Sequence, residues 1–238
     1  MGEQIAIEVP GVGVLPAYFS PAVGQDGPAP GVVVVHEAFG LTDDIRELAD
    51  EFARRGFHAV APDLMAYGGM VRCMVALTRA LSAGTGRPFA EIAAARGWLT
   101  QRHDCTGKVG IAGFCLGGAF AILMSTRGFD VSAAQYGRLP KRLDDAVQGA
   151  CPIVASYGGR DRSLSGAATK LEDALHRAGV QHDVKEYADA GHSFMNHSEA
   201  PAWMRPLTGP LHAGYVDTAA ADAWQRIQTM FDAALRDD

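Results

Sequence analysis

The chain has 238 residues, 48% of them apolar and 20% charged, which is enough to build a core and excludes a mainly disordered protein. The formal net charge is -6, from 21 basic and 27 acidic residues with no Lys/Arg block, so neither nucleic acid nor an anionic membrane is an expected partner. Cys73, Cys105, Cys115 and Cys151 form no C-x-x-C pair, and the N-terminus lacks a basic patch followed by an apolar run; the expectation is a cytoplasmic protein with reduced thiols.

Ile5, Ile7 and Val9 alternate with polar or small residues, as do Leu15, Ala17 and Phe19 after the Pro10-Gly11-Val12-Gly13 break, which predicts an antiparallel pair of strands. Residues 21–30 hold three prolines and two glycines and read as a loop. Val32 to Val35 are four consecutive β-branched residues, as in a parallel strand buried on both faces. Ile45, Leu48, Ala49, Phe52 and Ala53 follow helical spacing, with Thr42 or Asp43 as N-cap and Gly56 as stop. Phe57–Ala61 is the next strand, and residues 70–82 and 88–102 read as helices.

Lys108–Ala112 predicts a strand, Leu116–Arg127 a helix, and Val131–Tyr136 and Pro152–Tyr157 two more strands. A helix carries Leu171, Ala174, Leu175 and Ala178, Asp183–Tyr187 is a strand, and a last helix aligns Ala223, Trp224, Ile227, Met230, Phe231, Ala234 and Leu235. This alternation predicts a single α/β domain over 1–238, with a mainly parallel sheet and helices on both faces. The uncharged stretch between Lys108 and Arg127 is long enough to raise a membrane span. Its glycines Gly110, Gly113, Gly117 and Gly118 favour a strand, a sharp turn and a buried helix instead.

The sharpest local feature is Gly113-Phe114-Cys115-Leu116-Gly117, placed between a strand and an apolar helix. A G-x-nucleophile-x-G elbow has this form, with Cys in the usual place of Ser. The turn needs small flanking residues so that strand and helix can meet, and it presents the sulfur at a helix N-terminus, where free N–H groups favour negative charge. The pentapeptide alone also fits a glycine-rich junction around a structural cysteine. Two later strand ends carry partners: Gly158-Gly159-Arg160-Asp161 follows one, and Ala188-Asp189-Ala190-Gly191-His192 the next. The order nucleophile, acid, histidine, each at a strand's C-terminal end, is the order an α/β-hydrolase requires.

Taken together, Val35-His36-Glu37-Ala38-Phe39-Gly40, Ala61-Pro62-Asp63-Leu64, Gly113-Phe114-Cys115-Leu116-Gly117-Gly118, Gly158-Gly159-Arg160-Asp161 and Ala190-Gly191-His192-Ser193-Phe194 resemble the dienelactone hydrolase family, as do Tyr136-Gly137 and Lys141-Arg142-Leu143. The likeness runs over about residues 5–235. It implies the α/β-hydrolase fold and hydrolysis of enol lactones such as carboxymethylenebutenolide by a Cys-His-Asp triad. By that resemblance Cys115 is the nucleophile, His192 the base and acid, Asp161 the orienting carboxylate and Glu37 the glutamate that partners the cysteine. The family pattern further implies an oxyanion hole formed by the N–H groups of Leu116 and Ala38. Phe39, Tyr136, Ser193 and Phe194 are substrate-pocket candidates, although aromatic residues at strand ends are often plain core.

Glu37 sets up a contest of magnitudes. A helix N-terminus favours a thiolate by roughly 0.3–2 kcal/mol, and a carboxylate about 4 Å away opposes it by up to roughly 4 kcal/mol at an effective dielectric near 20. The expectation is a protonated resting thiol that substrate binding activates by moving Glu37; the alternative is that Glu37 caps the following helix or meets solvent. His36-Glu37-Ala38-Phe39-Gly40 fails H-E-x-x-H, and no G-x-G-x-x-G or Walker loop occurs, so no metal and no cofactor are expected.

The family pattern holds an anionic carboxylate with arginines, and here the sequence departs from it. Asn196 stands where one arginine would be, Met65-Ala66-Tyr67-Gly68-Gly69 holds none, and Arg72 is either a substitute or a solvated helix residue. The expected partner is therefore a small lactone or activated ester, with its charge and the oligomeric state left open. A general carboxylesterase or thioesterase and a non-catalytic binder on the same scaffold are the alternatives. Segment 197–217, with Pro201, Pro206 and Pro210, reads as either a lid or a packed connection.

Overall fold

The structure is a computed structural model and describes residues 2–197 and 211–236. Its centre is an eight-stranded sheet: β1 (Glu3–Val9), β2 (Gly13–Ser20), β3 (Ala29–Val35), β4 (His58–Pro62), β5 (Cys105–Phe114), β6 (Ser132–Gln135), β7 (Ile153–Gly158) and β8 (His182–Tyr187), in the order β1-β2-β4-β3-β5-β6-β7-β8. The first two strands form the expected antiparallel pair, with Ile5 opposite Ala17 and Ile7 opposite Leu15; β2 also runs antiparallel to β4, and every other pairing is parallel.

Among the described residues the helices are α1 (Asp43–Arg54), α2 (Met70–Ala83), α3 (Arg87–Thr100), α4 (Leu116–Met124), α5 (Leu143–Ala146), α6 (Ala167–Arg177) and α7 (Asp217–Leu235). Strand periodicity sends alternate residues to opposite faces. Val33 and Val35 pack with Leu77, Ile92, Leu99, Phe120 and Leu171, from α2, α3, α4 and α6. Val32 and Val34 pack with Ile45, Phe52, Trp224, Ile227 and Phe231, from α1 and α7. A strand with apolar side chains on both sides is what a four-valine run requires, and burying each valine contributes roughly 1.5–3 kcal/mol.

Thr42 is the N-cap of α1 and accepts the Ile45 N–H, and the five predicted stripe residues of that helix are buried. The 18-residue uncharged stretch divides into β5, a turn and α4, and among the described residues no helix is long and apolar enough to cross a membrane. Boundaries differ where the backbone turns. The strand read to Tyr136 stops at Gln135 because Tyr136 has φ 41°, and the helix read to Arg127 ends at Met124. The short α5 and a 3-10 turn at Arg162–Leu164 carry no periodic signal and were not expected.

Candidate active site

β5 ends at Phe114 and α4 begins at Leu116, so Cys115 alone makes the turn. Its φ of 53° and ψ of -110° lie in a region that costs a non-glycine residue roughly 1–3 kcal/mol. The neighbours hold it there: the Cys115 N–H donates to the Gln135 carbonyl at 3.0 Å, and its own carbonyl accepts the Gly118 N–H at 3.0 Å. The glycines are required by contact. A Cβ on Gly113 would overlap the Gly117 carbonyl, and one on Gly117 would overlap the Val35 carbonyl. The thiol is left half-buried at the start of α4, beside N–H groups that the first turn of a helix cannot satisfy internally.

The loops that follow β7 and β8 are stitched together by Gly159 N–H to Tyr187 O (2.8 Å) and Arg160 N–H to Ala190 O (2.9 Å). This brings Asp161 and His192 side by side. One oxygen of the buried Asp161 carboxylate accepts the Ser163 N–H at 2.9 Å and its hydroxyl at 2.6 Å; the other lies 2.6 Å from His192 Nδ1. Burial works against the charge of Asp161, but His192 and Ser163 outweigh it and hold the carboxyl below its usual range. Burial likewise works against the imidazolium of His192, yet the hydrogen bond to Asp161 and the adjacent Cys115 sulfur push it up to about 10. The backbone of His192 is fixed from outside by its N–H to Leu211 O (2.8 Å) and by the Gly214 N–H to its carbonyl (3.2 Å).

Glu37 neither caps α1, a role Thr42 fills, nor meets solvent, since only 5% of it is exposed. Burial, then the nearby Asp44, raise its carboxyl to about 7, while His192 pulls the other way. The group thus titrates near neutrality instead of staying fully ionised there. Ala38 and Leu116 are partly exposed where the β3–α1 loop meets the start of α4.

The pocket candidates separate into two layers. Phe39 and Ser193 are partly exposed, Ser193 with φ 55°. Tyr136 and Phe194 are fully buried; their rings pack on each other at 5.4 Å, and Tyr136 lies 5.3 Å from the His192 ring. They back the imidazole rather than line an open surface. Asn196 is also buried: its amide oxygen accepts the Tyr136 hydroxyl, and its NH2 donates to Asp44, which also takes the His197 N–H at 2.8 Å. Arg72 is exposed on α2. Most of the segment suspected as a lid, 198–210, lies outside the described residues.

Sequence reasoning missed Ser163, Asp44 and the pairing role of Asn196. Asp161-Arg162-Ser163 is a visible Asp-x-Ser turn pattern that could have shown the first; the others depend on residues 152 positions apart. Two cavities of about 300 Å3 lie along β8 and α7, around Arg226 and around Tyr187, and neither is lined by Cys115, Asp161 or His192. Among the described residues no group of three or more His, Cys, Asp or Glu is placed to hold a metal.

A mainly parallel sheet with a strained strand-to-helix turn and an acid and a histidine after two later strands defines an α/β-hydrolase. Residues 15–235 match the model of the dienelactone hydrolase family, and the chain belongs to that family. A Methylorubrum extorquens protein named "Putative carboxymethylenebutenolidase" is 33% identical over 92% of this chain and 77% of its own length. The carboxymethylenebutenolidase of Pseudomonas putida is 30% identical over 84% of each chain. A solved dienelactone hydrolase-like promiscuous phosphotriesterase from metagenomic libraries is 25% identical, with a TM-score of 0.78 over 98% of both chains. The chain is thus a hydrolase of the dienelactone hydrolase type.

Proposed function

We propose that the protein hydrolyses small lactones or activated esters through a Cys115 nucleophile. The observation that carries this reading is the single imidazole of His192, hydrogen-bonded at 2.6 Å to the buried Asp161 and close enough to the Cys115 sulfur to be perturbed by it. As sulfur attacks the carbonyl carbon, the thiol proton passes to a base, and the carbonyl π electrons move to oxygen. The oxyanion is held by the N–H groups of Leu116 and Ala38. Collapse expels the enol or alcohol oxygen, which takes a proton from His192 and leaves a thioester on Cys115. His192 then removes a proton from water, the hydroxide adds to the thioester carbonyl, and collapse breaks the C–S bond, releasing the acid and a Cys115 thiolate that recovers its proton.

Asp161 keeps the ring oriented and offsets its positive charge. Glu37, titrating near neutrality, is suited to take up the thiol proton when substrate displaces its surroundings. The names of the relatives support a carboxymethylenebutenolide-like lactone as the substrate type. The four free cysteines are in keeping with a cytoplasmic setting. The test is hydrolysis of an activated aryl ester and of an enol lactone by wild type and Cys115→Ala. The expected result is loss of both activities; retention of either at the wild-type rate removes Cys115 from the chemistry.

A further inference from the structure

His36 is fully buried, and nothing in the hydrolytic cycle above uses it. Its ring nevertheless bridges two loops. Nε2 lies 3.1 Å from the Leu64 N–H, which can only donate, so Nε2 is the unprotonated nitrogen. The ring proton therefore sits on Nδ1, which donates to the Glu37 carbonyl at 2.6 Å. Burial, which penalises the imidazolium, holds His36 below its usual pKa and keeps the ring in this neutral form. Leu64 is anchored through its next peptide too: its carbonyl accepts Arg87 Nη2 at 3.1 Å, and Arg87 Nη1 is paired with the buried Glu91 at 3.0 Å.

The Glu37 carbonyl and the Ala38 N–H belong to one planar peptide and point in opposite directions. Fixing the oxygen fixes the direction of the N–H, and a hydrogen bond received by the carbonyl makes that N–H a stronger donor. The same loop is pressed onto the elbow: a Cβ on Gly117 would come within 2.9 Å of the His36 carbonyl. We propose that His36 is a positioning residue whose Nδ1–H aims the Glu37–Ala38 peptide, so that the Ala38 N–H faces the oxyanion formed at Cys115. This rests on the assignment of the Ala38 N–H to the oxyanion hole made above.

Two substitutions separate the two hydrogen bonds. In His36→Gln, the side-chain oxygen can reach the Leu64 N–H but leaves the Glu37 carbonyl with only the longer bond from the Gly40 N–H, at 3.4 Å. In His36→Asn, the shorter amide can donate to the Glu37 carbonyl but cannot reach Leu64. Each full-length variant is compared with wild type in three assays: kcat and KM for an activated aryl ester, the inhibition constant of a trifluoromethyl ketone, whose adduct with the thiol carries an oxyanion, and the rate of Cys115 alkylation by iodoacetamide, which forms none.

For His36→Gln, kcat and ketone affinity fall together, on the order of 10–100-fold, short of the roughly 100–1,000-fold lost when an oxyanion donor is removed outright. KM and the alkylation rate stay within about twofold, and His36→Asn recovers most of the loss. Wild-type kcat and ketone affinity in His36→Gln overturn the proposal, as does alkylation falling by the same factor as kcat, which marks general collapse of the site. If neither variant folds, nitrogen NMR of the wild-type ring decides. A proton on Nδ1 and none on Nε2 at neutral pH is expected, and the opposite tautomer overturns the proposal. Hydrolysis surviving Cys115→Ala is a separate failure, that of the nucleophile assignment; loss of activity there with an unaffected His36→Gln defeats this inference alone.

Discussion

Glu37→Gln tests the electrostatics of the site through stability, independently of turnover. In the folded protein burial, then Asp44, raise the Glu37 carboxyl from the ordinary 4.5 to about 7. Between those values the folded chain keeps a proton that the unfolded chain releases, so stability falls as pH rises. The stabilising contribution is fully present below about 4.5 and is lost once pH passes about 7. At about 1.4 kcal/mol per tenfold change, the whole excursion is about 3 kcal/mol. Glutamine cannot ionise and escapes it. The variant should gain on wild type steadily from pH 5 to pH 8, reaching about 3 kcal/mol less any hydrogen bonding the amide fails to reproduce; at about 2–4 °C per kcal/mol for a chain of this size, that is a Tm difference growing by roughly 6–12 °C.

Glu91 is buried and also raised to about 7, but it is unchanged in both proteins and cancels from the difference. Thermal melts of both proteins at four pH values suffice. A Tm difference that is flat across the window would mean that Glu37 does not titrate there, and the account of a carboxyl raised to near neutrality by burial would be wrong. On the proposed mechanism turnover of the variant also falls, because an amide cannot take up the thiol proton.

Asp161→Asn should lower kcat by up to about 10,000-fold with little change in KM, since the amide no longer holds the His192 ring in the productive tautomer; steady-state kinetics check this, and a loss below tenfold would separate Asp161 from the chemistry. Cys115→Ala and Cys115→Gly both abolish hydrolysis, but they differ in stability. At an unstrained position alanine is favoured by about 0.4–1 kcal/mol, whereas at φ 53° the glycine variant should be at least as stable in a denaturant titration. Substrate charge offers a fourth test. Among the described residues, those that shift Glu37, Tyr136 and His192 are Asp44, Asp161, Cys115 and one another, and none of them is an arginine or lysine. A neutral aryl ester should therefore show a higher kcat/KM than its carboxylate-bearing analogue, with the gap narrowing as salt is added.

The sheet was legible because its signals are local. Val32–Val35 can only be a strand covered on both faces, and Ile45 through Ala53 mark one stripe of one helix. The misread ends were local as well, but they depend on φ. Nothing in Val131–Tyr136 announces that Tyr136 turns into the left-handed region while its N–H still continues the ladder to the Ser156 carbonyl at 2.7 Å on the neighbouring strand.

The site divides in the same way. Cys115 was legible because steric crowding imposes glycine two positions before and two after it, a constraint that prints itself on contiguous sequence. Asp161 and His192 were legible by chain order, since parallel strands deliver successive loops to one edge. The polar pairings behind them were not. Asn196 occupies a position read for its missing positive charge, whereas its use is to join the Tyr136 hydroxyl to Asp44, on elements far apart in the chain. Such pairings impose complementarity between distant residues and no spacing on either one. A buried amide satisfied on both sides is costly to replace, at about 1–3 kcal/mol for each partner left unpaired. Recovering an arginine site at position 196 would therefore require Tyr136 and Asp44 to change with it: a guanidinium could pair with Asp44 but offers no acceptor to the Tyr136 hydroxyl. The departure from the family's anion-binding pattern is thus built into three elements of the fold at once.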